Sequence, residues 1–102
     1  MKCRLDIRPE AETDLADAAS WYQAERAELG AEFSAEMRQA IRSLADSALL
    51  YRVRARRRGR EVRWLLQQRF PYRVIYYIEG QTVRIFAVLH AKRSDAAWKQ
   101  RL

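Results

Sequence analysis

Apolar positions recur at two different spacings along this chain, and the change from one to the other divides it. After Pro9, which suits a first helical turn because its missing N–H is not needed there, Ala11, Leu15, Ala18, Ala19 and Tyr22 fall on one helical face. Glu10, Glu12, Asp14 and Asp17 crowd the N-terminal turns, where the helix dipole favours negative charge. A second helix is predicted from about Ala31 to Ala45, with Phe33, Met37, Ala40, Ile41 and Leu44 on its apolar face and Gly30 marking the break near its start. The alanine-rich first face permits close approach, so the two helices read as an antiparallel hairpin laid over a sheet.

From residue 62 the spacing becomes two. Val62, Trp64 and Leu66 alternate with Arg63, Leu65 and Gln67, giving a strand whose first set joins the core and whose Arg63 joins the opposite side. Two further strands, rich in aromatic and β-branched residues, hinge at Glu79-Gly80-Gln81. A two-residue Gly80-Gln81 turn pairs Tyr72 with Leu89, Val74 with Ala87, Tyr76 with Ile85 and Ile78 with Val83, an almost wholly apolar face. The other face then carries Arg73, Ile75 and Tyr77 opposite Val88, Phe86 and Arg84, with His90 at its far end. Cys3–Arg8 alternates like a short strand, and Ser94 or Asp95 caps a last short helix that contains Trp98. The fold class expected is α+β: an N-terminal strand and a helical hairpin on a largely antiparallel sheet, in a single domain spanning 1–102.

Charge sharpens this picture. The net charge of +7 is the sum of −4 over residues 1–50 and +11 over residues 51–102. Lysine occurs only at 2, 92 and 99, so most cations are arginine, whose planar fork suits phosphate and carboxylate. Arg52, Arg54, Arg56, Arg57, Arg58 and Arg60 fall in a stretch, 46–61, without clear periodicity, which reads as a mobile basic loop or a nucleic-acid-facing patch, the solvated loop being the simpler reading. A polyanionic or acidic partner for the second half is expected. No apolar run approaches the roughly 20 residues needed to cross a membrane, and the first residues lack the apolar core of an export signal. With Cys3 as the one cysteine, a reducing cytoplasm is the expected compartment.

Few kinds of chemistry are open to this composition. One histidine and one cysteine supply too few good metal ligands, and there is neither a Gly-x-Ser-x-Gly elbow nor a phosphate-cradling glycine loop. What remains is the cationic sheet face, as a site for RNA cleavage, for protein binding, or for plain nucleic-acid binding with Tyr77 and Phe86 as stacking surfaces. Each of its residues also has a purely structural explanation: Arg73 pairing with Glu61 or Glu79, His90 closing a strand end, Trp98 anchoring packing.

The run Phe70-Pro71-Tyr72-Arg73-Val74-x-Tyr76, followed by Val88-Leu89-His90-x-x-Arg93 and then Trp98, resembles the RelE/ParE superfamily of bacterial toxin–antitoxin toxins. The order of a first strand, a Pro-led helix, a second helix and three strands resembles that superfamily over nearly the whole chain. Two activities are implied. RelE-like members cut messenger RNA on the ribosome, and by position Arg73 and Arg93 match their arginines, Arg63 falls near their strand lysines and Trp98 near a C-terminal tyrosine. Here that strand has no lysine, an indole cannot exchange protons as a phenol can, and His90 would be the sole neutral-pH proton shuttle. ParE-like members, which the hairpin and the Leu-His-x-x-Arg-x-x-x-x-Trp ending resemble more closely, poison DNA gyrase without a known cofactor. The resemblance implies a cognate antitoxin as partner, possible oligomerisation through it, and no membrane. The residues expected to meet the target are Arg63, Arg73, Arg84, His90, Arg93 and Trp98, with Arg73, His90 and Arg93 as the candidates should there be catalysis.

Overall fold

The computed structural model describes residues 2–102. Strand β1 covers Arg4–Ile7, and helix α1, Pro9–Glu25, begins with proline in its first turn and Glu10 and Glu12 beside the positive end of the dipole. A single residue, Arg26, in extended conformation at φ −157° and ψ 133°, separates α1 from α2, Ala27–Ser47. The break is therefore at Arg26, and Gly30 lies inside α2. Glycine is needed there for a different reason than the sequence suggested. A Cβ on Gly30 would stand 2.8 Å from the carbonyl oxygen of Ala19 and 2.9 Å from Cβ of Gln23, so at residue 30 the two helices approach too closely for a side chain.

A 3-10 turn, Ala48–Leu50, leads into β2, Val53–Arg57, and β3, Arg60–Leu66. The segment expected to be a basic loop is thus largely a strand. Arg58 at φ 52° and Gly59 at φ 77° form its two-residue turn, the left-handed geometry that matches the twist of a tight hairpin. Its alternation escaped the eye because arginine fills exposed and half-buried positions alike. β4, Tyr72–Glu79, and β5, Thr82–His90, follow, and α3, Ala96–Lys99, ends the described elements. The sheet order is β1-β5-β4-β3-β2, with β1 parallel to β5 and the other pairs antiparallel, an α+β architecture as expected but with four strands after the helices instead of three.

The β4–β5 register follows the sequence reading only near the turn. Glu79 pairs with Thr82, Ile78 with Val83 and Tyr76 with Ile85, and Gly80 takes positive φ. Beyond that, Ile75 pairs with Ala87, Val74 with Val88, Arg73 with Leu89 and Tyr72 with His90. Phe86 is an extra residue, a β-bulge, and every side chain after it changes face.

Both faces of the sheet are consequently buried. On the helix side, Phe33, Met37, Ile41 and Leu44 of α2 pack with Val74, Tyr76, Ile85 and Val88. On the far side, Val62, Ile75, Phe86, Ala87 and Leu89 gather around Trp98 of α3, which has no exposed surface. The parity of β3 is also the reverse of that expected. Arg63 and Leu65 face the helices, while Val62 and Trp64 face α3. Arg63 donates to the carbonyl of Tyr51 at 2.7 Å, and the buried Tyr76 hydroxyl donates to that of Ala48 at 2.7 Å, so the 3-10 turn is tied to the sheet beneath it.

Candidate functional site

Arg73, placed by β4 on the far side, is the one charged residue among the buried described residues, with 6% exposure. Its guanidinium donates to Oδ1 of Asp95 at 2.7 Å and to the carbonyl of Arg93 at 2.9 Å, and lies 4.8 Å from the ring centre of Trp64. Trp98 Nε1 donates to the same Asp95 oxygen at 3.0 Å. The hydrogen bond from Arg73 holds the Asp95 carboxyl below the usual carboxylate range against the opposing effect of burial, with further help from Trp98. Asp95 does not cap α3 with its carboxylate, because this clamp uses it. The Ser94 hydroxyl instead accepts from the N–H of Ala96 at 3.1 Å.

His90 lies on the other side of the sheet, an outcome of the bulge at Phe86. Its ring centre is 5.3 Å from that of Tyr72, edge to face, and its Nδ1 accepts from the backbone N–H of Lys92 at 3.1 Å. A neutral His90 in this arrangement carries its proton on Nε2. Together with Trp21, Tyr22 and Tyr72 it lines an aromatic hollow of about 370 Å³, adjoined by a smaller one of about 250 Å³ edged by Asp14, Asp17 and Arg93. Trp21 is 59% exposed, an uncommon position for the largest side chain. The guanidinium of Arg93 has no hydrogen-bond or ionic partner among the described residues, whereas its backbone carbonyl serves the Arg73 clamp.

The remaining candidates disperse. Arg84 sits between Asp6 at 2.9 Å and Glu79 at 3.2 Å, and the hydrogen bond to Asp6 raises its already high pKa. Arg63 is committed to the 3-10 turn, and Trp98 is enclosed, so neither presents a free surface. On the β2–β3 ribbon, Arg54 covers the Trp64 ring at 5.1 Å and Arg60 the Tyr77 ring at 4.5 Å. Arg57 donates to the carbonyl of Lys99 at 2.7 Å, Arg56 pairs with Glu61 at 2.9 Å, and Arg58 is exposed at the turn.

Two groups were not visible in the sequence. Asp14 receives a forked contact from Arg101, at 2.7 and 3.0 Å, and also accepts from the N–H of Val88 at 2.9 Å, joining α1 to the bulged strand and to the last residues. No spacing signal links positions so far apart. The Trp21–Tyr22 pair could have been noticed as two aromatic neighbours on a helix, one of which must face outward. Among the described residues, no group of three His, Cys, Asp or Glu side chains is placed to hold a metal ion.

Of the catalytic candidates, His90 and Arg93 therefore line one hollow with Asp14 and Asp17, while Arg73 is held on the other side of the sheet. Two comparisons with known proteins found a match, and a third found none. A family model described as the ParE toxin of the type II toxin–antitoxin system parDE matches residues 5–95. A solved structure, the chromosomal ParDE TA system from P. aeruginosa, superposes with a TM-score of 0.77 at 18% identity, over 89% of this chain and 98% of that one, which shows a shared fold. No curated protein matches the chain. With the matched residues running from β1 to the Asp95 clamp, the chain belongs to the ParE toxin family of type II toxin–antitoxin systems.

Proposed function

We propose that this chain arrests growth by binding DNA gyrase, that it does so without cutting RNA, and that a cognate antitoxin neutralises it. The observation that carries the reading is the placement of Arg73 and His90 on opposite faces of one sheet. Cleavage at a 2′-hydroxyl needs a base, an acid and cations around a single phosphate. Here the arginine is buried and engaged by Asp95, the indole that stands near the expected phenol is enclosed, and the histidine is on the other side. A surface that acts by contact needs none of these groups to meet.

For the antitoxin, family membership and the ParDE structural match support a protein partner. Exposed Trp21, Leu49 and Leu50 supply apolar anchors, and the +11 half favours a segment that is partly acidic. No helix among the described residues is long and apolar enough to cross a membrane, in keeping with action in the bacterial cytoplasm.

Pulse-labelling of DNA and protein synthesis soon after induction of this chain alone tests the target. An early stop in DNA synthesis with translation continuing is the expected result. An early stop in translation would overturn the gyrase reading and favour messenger RNA cleavage.

A further inference from the structure

Among the described residues, nine arginines pair with a carboxylate, and of the eight that do not, five fall at positions 52–60. Glu61 is the one acidic residue between positions 47 and 78, and it pairs with Arg56 and Arg63. The other ribbon arginines have no carboxylate to relieve their repulsion, and β2 lies at the edge of the sheet with a neighbour on one side only. The ribbon's guanidinium groups are also held in place. Arg54 and Arg60 lie over the rings of Trp64 and Tyr77, which fixes one face of each fork and leaves its N–H edges for an anion.

We infer that the β2–β3 ribbon binds the phosphate backbone of duplex DNA directly, through Arg54, Arg58 and Arg60. Phosphate is favoured over an acidic protein segment by what the ribbon does not offer. Between Arg54 and Trp64 it exposes no aliphatic side chain, and the exposed Leu66 and Leu49 lie at the end of β3 and on the preceding 3-10 turn, whereas protein interfaces draw their affinity from central apolar anchors. A two-stranded ribbon is also of a size that the major groove of B-form DNA, roughly 12 Å wide, admits. Contacts of this kind orient a protein on DNA without reading its sequence.

The test is fluorescence anisotropy of the purified chain with a labelled duplex of mixed sequence over a salt series. Two triple variants are compared: Arg54→Gln, Arg58→Gln, Arg60→Gln on the ribbon, and Arg26→Gln, Arg38→Gln, Arg42→Gln on the helices. Both remove the same charge, so a difference between them is positional. The ribbon variant should lose affinity by about ten-fold or more and flatten the salt slope by about 0.9 per phosphate contact removed, with the helix variant much less affected. Arg58→Gln alone, which removes an exposed side chain with no hydrogen-bond or ionic partner among the described residues, should give a smaller loss in the same direction. Equal binding by the two triple variants, or no binding by the parent chain, would overturn the inference. So would a polyglutamate probe that loses affinity for the ribbon variant while the duplex does not. No gyrase is present in this assay, so a chain that binds duplex yet leaves supercoiling untouched would refute the proposed target and leave DNA binding standing.

Discussion

Arg73 and Asp95 meet at 2.7 Å from opposite sides of a solvent boundary, the arginine side chain 8% exposed and the carboxylate 44%. The cation therefore depends on the pair far more than the anion does. Trp98 shares the same carboxylate oxygen, so this carboxylate joins the packing of Trp98 and the Arg57 bond to the Lys99 carbonyl in holding α3 over the far side of the sheet. Nε of Arg73, buried without a partner, leaves the guanidinium no spare capacity to absorb a loss.

Asp95→Asn should accordingly cost about 1.5–3 kcal/mol, the range for a hydrogen bond to a charged group, read as a fall in the urea midpoint at unchanged slope. A cost near zero would mean that water replaces the carboxylate and that the clamp is not what seats α3.

Acid should weaken the fold through three carboxyls. Asp95, Asp6 and Glu12 are all held below their usual range, chiefly by hydrogen bonds from Arg73, Arg84 and Arg38 respectively. Each binds its proton more weakly folded than unfolded. Its contribution is present above the unfolded pKa, at about 4, and is lost as pH falls through the folded value. Urea stability should be level above about pH 5 and decline below it, and Asp95→Asn should make that decline shallower. Glu12 and Arg38 are 46% and 41% exposed, so their share should shrink with added salt.

Gly30→Ala inverts the ordinary ranking of helix formers. Alanine is intrinsically better in a helix interior by about 1 kcal/mol, yet its methyl would press on backbone of α1. Net destabilisation of about 1–3 kcal/mol is expected, measured by thermal or urea unfolding. A more stable variant would show that the helical hairpin can spread at no cost.

Arg93→Ala separates surface from scaffold. The substitution removes a guanidinium with no partner among the described residues and keeps the carbonyl that Arg73 grips. Growth arrest should weaken in an induction assay while the unfolding midpoint stays in place. Undiminished arrest would remove Arg93 from the target-contacting surface.

The two helices and four of the five strands were legible in place, because apolar positions recur along them at a helical or a strand spacing. Residues 85–89, Ile-Phe-Ala-Val-Leu, have no polar background. Both faces of β5 are covered, by the helices and by Trp98, so polarity does not reveal which side chain points where. A bulge in such a run is invisible, and strict alternation carried Arg73 and His90 to one face when the extra Phe86 sets them on two. Similarly, β2 was hidden because arginine can extend from half-buried and exposed positions alike. Asp95 had a local explanation as a helix cap, which concealed its long-range one with Arg73.

The parallel pairing of β1 with β5 joins residues 4–7 to residues 82–85. During synthesis the first strand emerges long before its partner, and it cannot take its place until β5 has left the ribosome. Non-local pairing of this kind slows folding, because a long loop must close before the contact rewards it. The sheet of this ParE-family chain is thereby completed only after β5 has been made.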